Sequence, residues 1–171
     1  MKIADLLLRR IAEEVDTVFL TYGGAIAELV DAFVRQDKLR YVCGLHEQAN
    51  AFMAEGYSKV RGFGVAMATS GPGGHNLVTG IANCFYDSVP VLFITGQVAT
   101  NLIRPTQELR QLGFQETPIV DICRPITKFS LRLRHDDNWY SDLDDAIGLA
   151  KSGRPGPVLL DIPVDVQRAD C

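Results

Sequence analysis

The chain has 171 residues, of which 47% are hydrophobic and 22% charged, and its formal net charge is −4. This composition is ordinary for one globular domain with a sizeable core, and the length does not clearly suffice for two domains. There is no basic cluster for nucleic acid, and the longest apolar runs have only strand length, so we expect neither a nucleic-acid nor a membrane partner.

The first part of the chain alternates between helical and strand patterns. Apolar residues recur at helical spacing in residues 2–14, 25–35, 47–61 and 77–86. Runs that are apolar or rich in β-branched residues cover residues 16–21, 39–43, 64–69 and 90–96. Because the strand runs are nearly continuous in apolar residues, the order predicts an α/β fold: a doubly wound, mainly parallel sheet flanked by helices on both faces.

The second part begins with a long polar segment. We interpret residues 99–113 as a loop with one helical turn, and long loops in compact domains are often functional. A short helix over 117–123, a strand over 126–133, a helix over 138–151 and a last strand over 157–162 are predicted next. We expect the domain to end at residue 166 and the polar residues 167–171 to begin a linker.

The third predicted helix carries the residue with the clearest chemical potential. Glu47 follows a strand directly and opens the helix, whose face of Ala49, Phe52, Met53 and Gly56 we expect to be buried. Backbone N–H groups would hold the carboxylate, and an apolar pocket would raise its proton affinity, so that it could share a proton with a ring nitrogen. The alternative is a first-turn glutamate that only complements the helix dipole.

Two glycine-rich turns are predicted at the carboxyl ends of strands, where open α/β sheets bind ligands. They cover residues 21–24 and 69–74, and glycine permits close approach of the backbone to a ligand or a partner chain. Neither turn matches a phosphate-binding motif. The alternative is that these two turns and the junction before Glu47 are three ordinary tight turns without a binding role.

Other classes of site find little support. The histidines His46, His75 and His135 lack zinc-ligand spacing with the cysteines, and no nucleophile-elbow motif is present, so we expect no metal ligand and no hydrolase triad. The four cysteines are far apart, and we expect them to be small buried hydrophobes. With no signal peptide pattern at the N-terminus, a reducing compartment, by default the cytoplasm, is predicted. The cysteines are Cys43, Cys84, Cys123 and Cys171.

Taken together, the motifs resemble the pyrimidine-binding domain of thiamine diphosphate enzymes, closest to the acetohydroxyacid (acetolactate) synthase branch. The resemblance runs in order through nearly the whole chain. Its motifs are Gly-Gly-Ala-Ile at 23–26, His-Glu-Gln at 46–48, Ala-Glu-Gly-Tyr at 54–57, Ala-Thr-Ser-Gly-Pro-Gly at 68–73, Asp-Ser-Val-Pro at 87–90, Ile-Thr-Gly-Gln-Val at 94–98, Phe-Gln-Glu-Thr-Pro at 114–118 and Ser-Gly-Arg-Pro-Gly-Pro-Val at 152–158.

The resemblance implies a role for each matched position. Glu47 would hydrogen-bond the pyrimidine ring nitrogen of thiamine diphosphate and favour the tautomer that removes the proton from the thiazolium carbon, so that a 2-oxo acid such as pyruvate can be decarboxylated. Gln115, with Phe114 beside it, would approach the reactive carbon, and Gly23 and Gly24 would face the same cleft. The positions implied to line the pyrimidine are Thr21, Tyr22, Thr69, Pro72 and Asn76.

Two departures from the family pattern concern the substrate. Tyr22 replaces the usual proline, and the segment between Val98 and Phe114 is several residues longer than in acetohydroxyacid synthases, with Leu112 and Gly113 in place of Asp-Ala. Because that loop faces the substrate in the family, the acceptor is open: a second 2-oxo acid, an aldehyde or a keto sugar.

The family also needs parts that this sequence does not contain. No Gly-Asp-Gly motif occurs, so the resemblance implies that Mg²⁺ and the diphosphate are held by another domain or subunit and that the chain alone is inactive. We expect an excised fragment and a homodimer or tetramer with the cofactor at an interface, and the residues leave open whether FAD is bound. The alternatives are a subunit of a split 2-oxo acid decarboxylase, such as a sulfopyruvate decarboxylase, and a non-catalytic assembly module.

Overall fold

A computed structural model of the chain describes residues 1–135 and 138–171. All six strands pair in parallel in one sheet, in the order β2-β1-β3-β4-β6-β5. The predicted α/β architecture is therefore confirmed. The strands are β1 (Thr17–Leu20), β2 (Arg40–Cys43), β3 (Gly64–Ala68), β4 (Val91–Gln97), β5 (Phe129–Arg132) and β6 (Val158–Pro163).

Helices connect the strands and follow the predicted order. The helices are α1 (Ile3–Ile11), α2 (Ala27–Ala32), α3 (Glu47–Arg61), α4 (Pro72–Asp87), α5 (Ile119–Cys123), α6 (Trp139–Lys151) and α7 (Val164–Arg168). Short 3₁₀ turns cover Gly24–Ile26, Phe33–Arg35, Thr100–Leu102 and Arg124–Ile126. Gly62 ends α3 in the left-handed conformation, with a φ of 91°, which a residue without a side chain adopts at no steric cost.

The sheet separates two hydrophobic cores. Along β4, Leu92 and Ile94 contribute to one core and Val91 and Phe93 to the other, because successive side chains point to opposite faces. Helices α1, α2, α6 and α7 cover the first face, and α3, α4 and α5 cover the second. Burial on both sides explains why the central strands are continuously apolar.

The strand order places a topological switch between β1 and β3. The chain leaves β1 toward β2 on one side and later returns to pair β3 on the other side of β1. In open parallel sheets the crevice at the carboxyl ends of two such strands is the usual ligand site. Thr21 and Thr69 are the first residues after these two strands.

The face of α3 that is buried differs from the predicted one. The buried residues are Asn50, Ala51, Ala54, Glu55 and Ser58. Of the predicted face, Ala49, Phe52 and Gly56 are exposed and Met53 is half-buried. The helical period is correct but its phase is shifted by about one residue, because α3 packs on α4 and the sheet through small and polar side chains. The apolar stripe lies on the surface of this chain instead.

Two further local predictions are corrected. Helix α4 begins at Pro72 rather than Leu77, because glycines 73 and 74 pack closely on their neighbours within its first turn. The tail after residue 163 contains α7, and its Gln167 is buried and donates hydrogen bonds to the carbonyls of Ala25 and Ile162. The domain boundary at residue 166 remains a prediction.

The cysteines divide into two pairs. Cys84 and Cys123 are buried as predicted, and burial raises the pKa of each thiol to about 12. Both remain protonated at neutral pH and act as small apolar side chains. Cys43 and Cys171 are exposed, contrary to the prediction. Across the described residues, no helix is both long and apolar enough to cross a membrane.

Candidate functional site

Glu47 is the first residue of α3 and is half-buried. The Asn76 side chain on α4 donates a hydrogen bond from Nδ2 to Glu47 Oε2 at 2.9 Å. The backbone N–H of Gln48 is bonded by the imidazole of His46, so the N-cap is the histidine and not the glutamate. Within the described part of the chain Glu47 Oε1 accepts no hydrogen bond, and that oxygen is free for a ligand.

Thr21, at the end of β1, is held by a residue that the sequence did not single out. Asn50 donates from Nδ2 to Thr21 Oγ1 at 2.6 Å, and Thr21 donates in turn to the carbonyl of Gly44. The Asn50 side chain is fully buried, and among the described residues its Oδ1 has no hydrogen-bond partner. A buried carbonyl oxygen without a donor indicates a place where a ligand or water completes the site.

The turn after β1 lies against Thr69 at the end of β3. Thr69 Oγ1 accepts a hydrogen bond from the backbone N–H of Ala25 at 3.1 Å. A Cβ at Gly23 would lie 2.4 Å from Thr69 Cβ, so only glycine permits this approach. The adjacent Gly24 has open space around it, and Tyr22 is 62% exposed. The two glycine-bearing strand ends therefore converge as predicted.

Gln115 lies against the other glycine turn. It has a φ of 62°, which is uncommon for a residue with a side chain, and a Cβ at Gly71 would lie 2.8 Å from its carbonyl oxygen. Gly71 precedes Pro72, which is exposed. A non-glycine residue in this backbone conformation indicates a constraint imposed by its surroundings. The neighbouring Phe114 is 83% exposed.

A cleft of about 510 Å³ opens at the carboxyl end of the sheet. It contains Gly24, Thr69, Phe114 and Gln115 of the predicted site, together with residues that the sequence did not suggest, Arg168 among them. The other predicted site residues do not line it, and these are Thr21, Tyr22, Gly23, Glu47, Pro72 and Asn76.

Gly73 joins this cleft to the glutamate. A Cβ at Gly73 would lie 2.9 Å from Thr69 Cγ2 and 3.6 Å from Glu47 Oε1. Glycine at this position keeps the space between the threonine and the free carboxylate oxygen open. The predicted residues therefore form two adjoining parts, a cleft around Gln115 and a polar pair around Glu47.

The long loop before Gln115 is ordered around a buried carboxylate. Glu116 is 7% exposed and accepts hydrogen bonds from the backbone N–H groups of Arg104, at 3.1 Å, and Leu112, at 2.8 Å. Arg104 donates to the carbonyls of Leu109 and Arg110, so its guanidinium fastens the loop and does not face the cleft freely. No sequence pattern indicated this arrangement, since the partners are separated by irregular chain.

A second buried carboxylate, Asp161, holds Gln97, which lies just before the long loop. Asp161 accepts hydrogen bonds from Thr95, Gln97 and Arg132. Burial raises the pKa of Asp161, and the hydrogen bonds from Arg132 and Gln97 oppose that shift. Gln97 also donates to the carbonyl of Thr117 at 2.9 Å, which ties the end of β4 to the residue two positions after Gln115.

The sequence of the chain is similar to those of a known protein family. Residues 1–122 match the family described as "Thiamine pyrophosphate enzyme, N-terminal TPP binding domain". The chain is 43% identical over 167 residues to the chloroplastic acetolactate synthase of Arabidopsis thaliana, and 42% identical over 158 residues to the mitochondrial acetolactate synthase catalytic subunit of Saccharomyces cerevisiae. It is 44% identical over 170 residues to the acetolactate synthase large subunit IlvB1 of Mycobacterium tuberculosis.

These alignments include most of this chain and a small part of each relative. They cover 96%, 92% and 98% of this chain but 24%, 22% and 26% of the three relatives, in the same order. The chain therefore spans about a quarter of the length of the curated relatives that it matches.

Proposed function

Because the chain belongs to the thiamine pyrophosphate enzymes, as their N-terminal TPP-binding domain, we propose that it is the pyrimidine-binding part of an acetolactate synthase-like enzyme. The whole enzyme would decarboxylate a 2-oxo acid such as pyruvate and transfer the remaining carbon unit to a ketone or aldehyde. The observation that carries the proposal is the half-buried Glu47, oriented by Asn76 and left with one free oxygen beside a glycine-lined opening.

The residues around Glu47 fit one end of the cofactor. An aminopyrimidine presents a flat ring with hydrogen-bond donors and acceptors on its edge. Glu47 Oε1 accepts no hydrogen bond among the described residues, and Gly73 keeps the space between that oxygen and Thr69 open. Groups of three His, Cys, Asp or Glu side chains that could hold a metal ion are absent from the described residues. We propose that another domain supplies Mg²⁺ and the diphosphate contacts.

Each residue then has a defined task. Glu47 would hydrogen-bond the pyrimidine ring nitrogen through Oε1 and serve as the proton-transfer group there, while Asn76 orients the carboxyl group through Oε2. Thr21, Tyr22, Thr69 and Pro72 form the walls on either side. When bound, thiamine diphosphate supplies the electron sink for loss of carbon dioxide.

The cleft around Gln115 would receive the substrate. Gln115, with Phe114, lies in the cleft where we place the substrate, and Gly24 contributes its floor. The lengthened loop anchored by Glu116 forms the rim of that cleft. Because this loop borders the cleft, we include a keto sugar among the acceptors of the proposed enzyme.

The proposed enzyme works as an assembly. The exposed stripe of Ala49, Phe52 and Gly56 on α3 is the surface that we assign to a second copy in a homodimer or tetramer, with the diphosphate-binding domain of the partner completing the site. We propose the cytoplasm as the compartment, because a reducing environment keeps the exposed thiols of Cys43 and Cys171 free.

The proposal is tested by restoring the missing part. The chain is combined with a diphosphate-binding domain of the family, Mg²⁺, thiamine diphosphate and pyruvate, and release of carbon dioxide is measured. Glu47→Gln should reduce release at least about 100-fold, since general acid–base catalysis typically contributes that much or more. Glu13→Gln on the exposed side of the chain is the matched control and should leave the rate unchanged.

The possible outcomes of this experiment separate the catalytic role from the non-catalytic alternative. Activity that is lost only in Glu47→Gln supports the catalytic role. A wild-type assembly that is folded and binds the cofactor but releases no carbon dioxide would favour the non-catalytic module. Full activity in the Glu47→Gln assembly would refute the role of the glutamate.

A further inference from the structure

Helices α3 and α4 lie side by side and run in the same direction, because each begins at the carboxyl end of a parallel strand. Two polar contacts join them. Asn76 donates to Glu47 at the start of the helices, and Asn83 donates from Nδ2 to both carboxylate oxygens of Glu55, at 2.9 and 2.8 Å, farther along. Both contacts pair a carboxylate of α3 with an asparagine of α4.

Between the two polar contacts the helices pack closely, with only the Ala51 methyl group between their backbones. A Cβ at Gly80 would lie 2.3 Å from Ala51 Cβ and 3.4 Å from Ala51 Cα. Both residues are buried. Since 2.3 Å is far inside any non-bonded carbon contact, the observed separation of the two helices requires glycine on one side and a single methyl group on the other.

This contact is one helical turn from the catalytic pair on both helices. Ala51 is four residues after Glu47, and Gly80 is four residues after Asn76. Residues four apart share a helix face, so a change in spacing at Ala51 and Gly80 is transmitted directly to Glu47 and Asn76. A 2.9 Å hydrogen bond that lengthens by about 1 Å is lost.

We propose that Ala51 and Gly80 are positioning residues that set the distance between the helices and thereby hold the Glu47 carboxylate on Asn76. Glu55 and Asn83 fix the helices on the far side of the same contact, so the spacing at Ala51 and Gly80 determines how closely the two helix starts approach. The catalytic meaning of this spacing rests on the proposed function, but the spacing itself is measurable without turnover.

The experiment follows the side-chain amide of Asn76 by NMR in the 171-residue chain as pH is varied. In the wild type its signals should change with pH, and Glu47→Gln identifies the part of the change that comes from the Glu47 carboxyl group by removing it. Gly80→Ala should reduce the pH-dependent shift at least twofold, because the added methyl group forces the helices apart. Gly148→Ala in α6 is the matched control, since a Cβ there meets nothing within 4 Å, and should leave the shift unchanged.

A paired exchange separates spacing from general damage. Ala51→Gly combined with Gly80→Ala moves the methyl group from α3 to α4, and the new Cβ then meets Ala51 Cα at an ordinary 3.4 Å. The effects of the two changes on helix propensity are opposed. The wild-type shift should therefore return, also when Gly80→Ala alone prevents folding.

The inference is overturned when Gly80→Ala folds with an unchanged Asn76 shift, or when the paired variant does no better than Gly80→Ala. Failure of the proposed function looks different. Turnover would then be insensitive to Glu47→Gln while the Asn76 shift still depended on Gly80.

Discussion

At the scale of single residues, the site depends on the absence of side chains as much as on their presence. Gly23 allows the turn after β1 to reach Thr69, and Gly71 allows Gln115 to lie against the turn after β3. Glu47 keeps one carboxylate oxygen free because Asn76 occupies the other. The shape of the proposed site therefore depends on close backbone contacts that only glycine permits, together with few polar groups.

Gly23→Ala tests the first of these contacts. The added Cβ would overlap Thr69, so we expect a loss of about 1–3 kcal/mol in the free energy of unfolding, the usual cost of overpacking. Gly24→Ala, one residue later, meets open space and should change stability by less than about 0.5 kcal/mol. Denaturant unfolding of both variants measures the difference, and equal effects would contradict the structure of this turn.

Asp161 provides a prediction with a defined sign. Because burial raises its pKa above the ordinary value of 3.8, the folded state keeps a proton that the unfolded state loses. Stability contributed by this group is present below pH 3.8 and is lost as pH rises toward the raised pKa.

The comparison with Asp161→Asn isolates that contribution from the other acids. The difference in unfolding free energy, wild type minus variant, should fall as pH rises above 3.8. The measurement is denaturant unfolding at a series of pH values. A difference that grows with pH would show that the hydrogen bonds from Arg132 and Gln97 outweigh burial.

At the scale of elements, the long loop behaves as a folded unit because Glu116 supplies acceptors to its backbone. Its carboxylate bonds the N–H groups of Arg104 and Leu112, which lie far apart in the loop and have no secondary structure to pair with. Hydrogen bonds to a charged acceptor such as this carboxylate contribute about 1.5–3 kcal/mol each. The stability of the loop beside the cleft therefore depends on this one side chain.

Glu116→Ala should open this loop without unfolding the sheet. We expect trypsin to cleave after Arg110 roughly 10 to 100 times faster, since the lost acceptors stabilise the closed loop by about 1–3 kcal/mol. Glu108→Ala removes an exposed carboxylate from the same loop and is the control, with cleavage at the wild-type rate. Unchanged cleavage in Glu116→Ala would mean that other contacts order the loop.

The difference between local patterns and contacts that form only in the folded chain explains what could be predicted from the sequence. Periodicity and the alternation of helix and strand are local, and they led to the parallel sheet and to the junction that carries Glu47. The roles of Asn50 and Asp161 depend on partners distant in the chain, and the role of Glu116 depends on partners in irregular chain, so no local pattern reports them. The predicted phase of α3 was wrong because apolar residues can lie on an exposed helix face as well as on a buried one.

At the scale of the whole molecule, both faces of the sheet are covered by helices. Helix α3 nevertheless exposes Phe52, of which 42% is accessible, on the same helix as Glu47. Phe52→Asp should therefore leave the free energy of unfolding of the single chain within about 0.5 kcal/mol and weaken self-association.

Sedimentation at increasing concentration measures the self-association of this variant. Val34→Asp on the surface of the Phe33–Arg35 turn is the control, since Val34 is 87% exposed and lies on the opposite face of the sheet. A strict monomer in the wild type, or equal association in both variants, would contradict the proposed interface.

We propose that the Glu47 carboxyl group serves proton removal from the cofactor. This role is measured by the rate at which the acidic hydrogen of the thiazolium carbon exchanges with deuterium when the assembled enzyme holds thiamine diphosphate and no substrate. Exchange should be about 100 to 10,000 times slower in Glu47→Gln than in the wild type, the range of general acid–base catalysis. Equal exchange rates in two assemblies that bind the cofactor equally would contradict it.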